Sequence, residues 1–135
     1  QRFYLDRQGD QVTECALAEL IEDGELARHT RRTRRIYQAR RDHCAALLAQ
    51  QLGSAVRFQR PNGGMALWAR IDRSIGGERL AECAEREGVL IQAGRQFRLD
   101  RSETPFIRLG YAALDDVELV EAVRRLKRAF HEARR

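Results

Sequence analysis

The stretch from about Leu26 to Leu52 constrains the fold most, because it is one long amphipathic run ended by Gly53-Ser54. Ile36, Tyr37, Cys44, Leu47 and Leu48 share one face at about 100° per residue. A shorter helical run precedes it, with Val12, Cys15, Ala16, Leu20 and Ile21 at helical spacing. Asp23-Gly24 closes that run, since glycine adopts the left-handed conformation common at helix ends. The opening residues, Gln1 to Leu5, give little signal. Helices of this kind need a partner layer to cover their apolar faces.

The rest of the chain supplies that layer. Ala55 to Gln59 reads as a short strand, and Arg60-Pro61-Asn62-Gly63-Gly64 is a strong turn signal. Met65 to Ile71 then alternates. Met65, Leu67, Ala69 and Ile71 face one way, and Ala66, Trp68 and Arg70 face the other, so a hairpin is expected. A helix from about Gly77 to Glu87 turns Leu80, Cys83 and Ala84 inward and stops at Gly88. Val89-Leu90-Ile91 reads as a short buried strand, and Gly94 to Asp100 as a polar loop. Phe106 to Tyr111 is the last strand, with Ile107, Leu109 and Tyr111 on one face and Phe106, Arg108 and Gly110 on the other. A final helix from about Asp116 to His131 carries Leu119, Val120, Val123, Leu126 and Phe130 as its apolar stripe. Asp115 with Glu118 resembles a capping box. The expected class is α/β, an α+β sandwich. It has a small mixed or antiparallel sheet of three to four strands with helices packed on it, preceded by the long helix. Residues 1–135 read as a single domain, with no internal repeat or boundary.

A chain of 135 residues can close one core without metals or disulfides. Its 43% hydrophobic and 33% charged residues suit a soluble globular domain, and cytoplasmic localisation is expected. No apolar run approaches the roughly 20 residues of a membrane span, so no membrane partner is expected. No signal peptide is visible. Gln1 is not an initiator methionine, which suggests an excised or processed piece. Cys15, Cys44 and Cys83 are odd in number and far apart, without metal-ligand spacing. They read as reduced thiols used as small apolar residues in helices. No metal is expected. The 25 lysines and arginines against 20 aspartates and glutamates give a formal net charge of +5, and Lys127 is the one lysine.

Three constellations could carry chemistry. The first is Arg28-His29-Thr30-Arg31-Arg32-Thr33-Arg34-Arg35, continuing to Arg40-Arg41. Phosphate contact is one reading. However, Arg28, Arg31, Arg32 and Arg35 centre about 150° from the apolar face, as a solvated or partner-facing surface would. No aromatic residues are interleaved with them as a stacking platform. The second is Pro61-Asn62-Gly63-Gly64-Met65-Ala66-Leu67-Trp68, where a tight hairpin turn is the plain reading and Trp68 reads as core. The third is Phe106-Ile107-Arg108-Leu109-Gly110-Tyr111. An arginine inside a strand must meet an anion, because burying an unpaired charge is costly. That anion is an internal Asp or Glu, a partner or a bound ligand, and the planar guanidinium suits a carboxylate. Gly110, two residues on, leaves room beside it. His29, His43 and His131 show no partner spacing, and GxSxG, HExxH and phosphate-loop motifs are absent.

Together and in this order, these segments resemble the C-terminal part of fold-type I PLP-dependent enzymes. They are most similar to the MocR-type regulators of the GntR family, which join a winged-helix DNA-binding domain to an aminotransferase-like domain. The residues that carry the resemblance begin with the segment from Ala16 to Gly24, the basic run from Arg28 to Tyr37, and Arg40-Arg41-Asp42. They continue with Pro61 to Trp68, Gly88-Val89, Gly94 with Phe97, and Ile107 to Tyr111. Departures occur at Ala66, where histidine is frequent, at Ala93, where proline often precedes the glycine, and at Thr30 and Thr33.

The resemblance implies that Arg108 binds the carboxylate of an amino-acid substrate or effector. It implies pyridoxal 5′-phosphate in the full-length parent and none in this fragment, with no catalytic or cofactor-binding residue here. PLP chemistry needs a lysine, and Lys127 lies in the terminal helix, away from any phosphate-binding segment. The implied partners are a large aminotransferase-like domain, a second subunit of a homodimeric parent, and DNA through an N-terminal domain. The small domain would close over the PLP site and have no activity alone. The alternatives are the small domain of an ordinary aminotransferase and an independent nucleic-acid-binding α/β domain.

Overall fold

The computed structural model describes residues 9–135, so the opening segment Gln1–Leu5 lies outside the described residues. Two compact units are present, one ending at Ile36 and one running from Tyr37 to Arg135.

In the first unit, helix α1 spans Gln11–Glu22. Asp10 caps it, accepting from Thr13 N at 3.2 Å and from Thr13 Oγ1 at 2.6 Å. Gly24 follows at φ +72°, the left-handed position foreseen for it. Helix α2 spans Glu25–Leu52 and continues into the second unit. No residue of α1 is buried: Val12, Leu17, Leu20 and Ile21 are exposed, and so is Cys15. Cys15 therefore does not serve as a core residue, whereas Cys44 and Cys83 do.

The second unit holds the sheet. Strands β1 (Val56–Phe58), β2 (Ala66–Ile71), β3 (Gln92–Ala93) and β4 (Phe106–Gly110) line up in the order β1-β2-β4-β3. Every neighbouring pair is antiparallel. Helices α3 (Gly77–Arg86) and α4 (Asp116–Ala133) complete the unit with the second half of α2. Inward residues of the sheet, Leu67, Ala69, Ile71, Ile107 and Leu109, form one core with Leu48, Leu80, Cys83, Leu119, Val123, Leu126 and Phe130. The alternation of β2 and β4 thus faces as the sequence predicts, because period-two patterning directs every second side chain to the core. The capping box at α4 is also present: Asp115 Oδ1 accepts from Glu118 N at 2.9 Å, and Glu118 Oε2 accepts from Asp115 N at 2.8 Å.

Three local expectations are corrected. Val89-Leu90-Ile91 is not a strand, and pairing starts only at Gln92. The amides there close helix α3 instead: Gly88 N donates to Glu85 O and Val89 N to Ala84 O, both at 2.8 Å. This is the paired helix-end closure in which a left-handed glycine, here Gly88 at φ +77°, lets two amides turn back. Leu90 is left exposed. The polar segment after β3 winds into a 3₁₀ turn over Gly94–Phe97. On α4, Val120 is exposed at the edge of the apolar face, Ala129 joins the buried stripe, and Ala133 extends it beyond His131.

Arg40 and Arg41 of α2 act as staples. Arg40 Nη1 donates to Ala112 O. Arg41 Nη1 donates to Pro61 O at 2.8 Å, while its Nε donates to Asp42 Oδ1 at 2.8 Å. Tyr111 Oη donates to Gly64 O at 2.7 Å. Together these bonds tie the β1–β2 turn and the exit of β4 to the helix.

Candidate functional site

The helices cover one face of the sheet and leave the other open. The strand registers arrange that open face in rows. Ala66 lies opposite Gly110; Trp68 lies opposite Arg108, which lies opposite Gln92; Arg57 lies opposite Arg70, which lies opposite Phe106. Arg108 is therefore held at the middle of a central strand, flanked by an aromatic residue on one side and an amide on the other.

Its surroundings bear on the internal-carboxylate reading of a strand arginine. Arg108 is half-buried, and its Nη1 donates to Gln92 Oε1 at 2.7 Å. Among the described residues no Asp or Glu pairs with it, although many other arginines of the chain have a carboxylate partner. The internal-carboxylate reading thus fails there. The remaining N–H groups of a fixed guanidinium are free to meet an anion in bidentate fashion. A Cβ added at Gly110 would meet nothing within 4 Å, so the space beside Arg108 is open. Ala66 forms the rest of that small floor. Its methyl side chain brings no polar group to the site.

Trp68 corrects the reading of it as core. It is 42% exposed and sits on the open face. Its ring stacks on Phe106, with centroids 5.6 Å apart and planes at 10°. It meets Phe97 edge-on, at 5.5 Å and 87°. Such stacked and T-shaped pairs are favourable geometries. They give Arg108 a rigid aromatic wall. The signal was present in the alternation, which already put Trp68 on the face opposite Leu67.

The basic run divides. Arg31, Arg32, Arg34 and Arg35 are exposed, and Arg28 pairs with Glu25, whereas Arg40 and Arg41 are taken up as staples. Thr33 turns its Oγ1 to His29 O at 2.9 Å, bonding back along the helix. Among the described residues no cluster of His, Cys, Asp and Glu could hold a metal ion, and no helix is long and apolar enough to cross a membrane. Burial pushes the Cys44 thiol up to about 11, which keeps it protonated and unreactive at neutral pH.

The family model described as aminotransferase class I and II matches residues 1–126. The chain is 30% identical over 118 residues to a 2-aminoadipate transaminase of Thermus thermophilus, covering 87% of this chain and 30% of that protein. It is 34% identical over 120 residues to the probable rhizopine catabolism regulatory protein MocR of Rhizobium meliloti, covering 88% of this chain and 24% of that one. The chain thus spans under a third of the length of these curated relatives. In three dimensions it is similar to an α-aminoadipate aminotransferase of Thermus thermophilus, crystallised with N-(5′-phosphopyridoxyl)-L-leucine. That match has a TM-score of 0.88 at 28% identity, over 98% of this chain and 34% of that one.

Proposed function

This chain belongs to the aminotransferase class I and II family, and from that premise we propose that it is the C-terminal small-domain part of a PLP-dependent, aminotransferase-like transcriptional regulator of the MocR type. The observation that carries the site is Arg108, a half-buried strand arginine with an amide partner and no carboxylate among the described residues. In the full-length protein its guanidinium takes the carboxylate of an amino-acid substrate or effector. Trp68 walls the site, Gln92 holds Nη1 in place, and the small residues Ala66 and Gly110 leave room for the ligand. The domain closes over the PLP site, and binding shifts the arrangement of winged-helix domains attached elsewhere in a dimeric protein.

The residues of this chain do not make a PLP site on their own. Lys127, the one lysine, belongs to α4 in the helical layer, with Nζ 3.4 Å from Gln51 Oε1 on α2. It is not on the face that carries Arg108. The covalent anchor and phosphate contacts are assigned to the large domain.

The test uses the full-length protein with PLP bound, following the change in cofactor absorption as amino acid is added. Losing a bidentate, charge-assisted pair of about 3 kcal/mol weakens binding by roughly 100-fold. Arg108→Gln should show that loss. Unaltered affinity would sink the assignment. A second reading, an ordinary aminotransferase without a DNA-binding domain, is favoured by the similarity to the 2-aminoadipate transaminase. The reading frame upstream separates the two, since a winged-helix segment belongs to the regulator alone.

A further inference from the structure

We propose that the hollow at the β1–β2 edge of the open face, between Arg57, Arg70 and Arg73, binds a phosphate dianion, free or as the monoester of a small molecule. The hollow measures about 350 Å³ and is lined by Ser54, Arg57, Arg70, Ile71, Asp72 and Arg73.

Register places Arg57 directly opposite Arg70. Like charges at directly opposed positions repel and destabilise a sheet, so the pair calls for an anion between or beside its members. The protein does not supply one. Among the described residues no carboxylate pairs with Arg57, Arg70 or Arg73, whereas Arg41, Arg60, Arg86 and Arg98 have carboxylate partners. Asp72 is the one carboxylate in the lining. Its Oδ1 is already engaged by Ser74 N and Ser74 Oγ, both at 2.9 Å. Three guanidiniums against one carboxylate leave a local excess of two positive charges, which matches a dianion. The planar donor forks of arginine suit tetrahedral phosphate oxygens, and the lining residue Ser54 brings a neutral hydroxyl. A concave hollow of this size accommodates a phosphate with a short substituent. It does not present the long basic stripe that a nucleic-acid backbone tracks. The site shares no lining residue with the Arg108 notch and does not rest on the function proposed for it.

The test is calorimetric titration of the 135-residue chain at constant ionic strength with inorganic phosphate, glycerol 3-phosphate, glucose 6-phosphate and a short DNA duplex. Saturable, one-to-one binding of phosphate or its esters is expected. It should weaken at least tenfold in R57Q/R70Q and in R73Q, and be unchanged in R108Q. The ranking of inorganic phosphate against the esters shows whether the source is the free anion or a phosphorylated metabolite. In phosphate-free buffer R70Q should melt no lower than the parent chain, because it relieves the opposed charges; this also verifies that the variant folds. Absence of saturable binding, equal affinity in the arginine variants, loss in R108Q alone, or binding of DNA without binding of any phosphate ester would each overturn the proposal.

Discussion

A single arginine carries the functional reading, and its meaning depends on what stands beside it. Arg108 could have been neutralised internally, as Arg125 is by Glu121 at 2.7 Å or Arg128 by Glu87 at 2.7 Å. Instead it meets Gln92, which orients the guanidinium without cancelling its charge. Trp68 plays the complementary part, an apolar ring kept half in the open by its stack on Phe106. Gly94 shows the same dependence on neighbours. It is buried, and an added Cβ would lie 2.7 Å from both Phe106 O and Thr104 Cγ2. The 3₁₀ turn that supplies Phe97 can approach β4 only without a side chain there. Gly94→Ala should destabilise the chain by about 1–3 kcal/mol through overpacking against backbone, measured by urea denaturation. Trp68 fluorescence should change as well, since Phe97 and Phe106 flank that ring. A variant as stable as the parent would show that the turn can move away at no cost.

Among the elements, α4 shows how local rules add up. Its first turn is closed by the capping box and its apolar stripe faces α3 and the sheet. On its outer side Glu121 accepts from Arg124 Nε at 2.7 Å and from Arg125 Nε at 2.7 Å. These bonds hold the Glu121 carboxyl down at about 2, well below the usual glutamate range. A carboxylate whose pKa is lower in the folded chain stabilises the fold above its unfolded pKa of roughly 4.3. That contribution is lost as pH falls from there toward about 2. Glu121→Gln should therefore lower stability near neutrality, by an amount that shrinks as pH falls through this window, and so flatten that part of the acid unfolding curve. Equal acid slopes for the two chains would mean that solvent screens the pairs. The same element-level view explains the misplaced third strand. Val89, Leu90 and Ile91 have strand-forming side chains, yet the amide of Val89 is spent on closing α3. A left-handed glycine thus outranks β-propensity, which depends on context.

At the scale of the whole molecule, protection should be uneven. Leu67, Ala69, Ile107 and Leu109 lie on paired central strands and are almost fully buried, whereas no residue of α1 is buried. Amide exchange should be slowest at those β2 and β4 positions that donate to the ladder. It should be faster by orders of magnitude along α1, since local opening costs least where few apolar contacts hold a segment. Comparable protection in both would show that α1 has found a partner surface in solution. Much of this architecture was legible in the residues alone. The two main helices of the first half, the hairpin, the alternation of β2 and β4, the α4 capping box and the helix-ending glycines were all readable. Each is a local property, set by a period of 3.6 or 2 or by a side chain reaching three residues. What could not be read depended on partners distant in the chain. Strand register set Arg57 against Arg70 and Trp68 against Arg108. The fold also brought Pro61 O to Arg41, left Arg108 without an internal carboxylate among the described residues, and laid Phe97 against Trp68. Periodicity states which face a side chain takes, but not which neighbour it meets there; that is decided when the strands pair and the core closes.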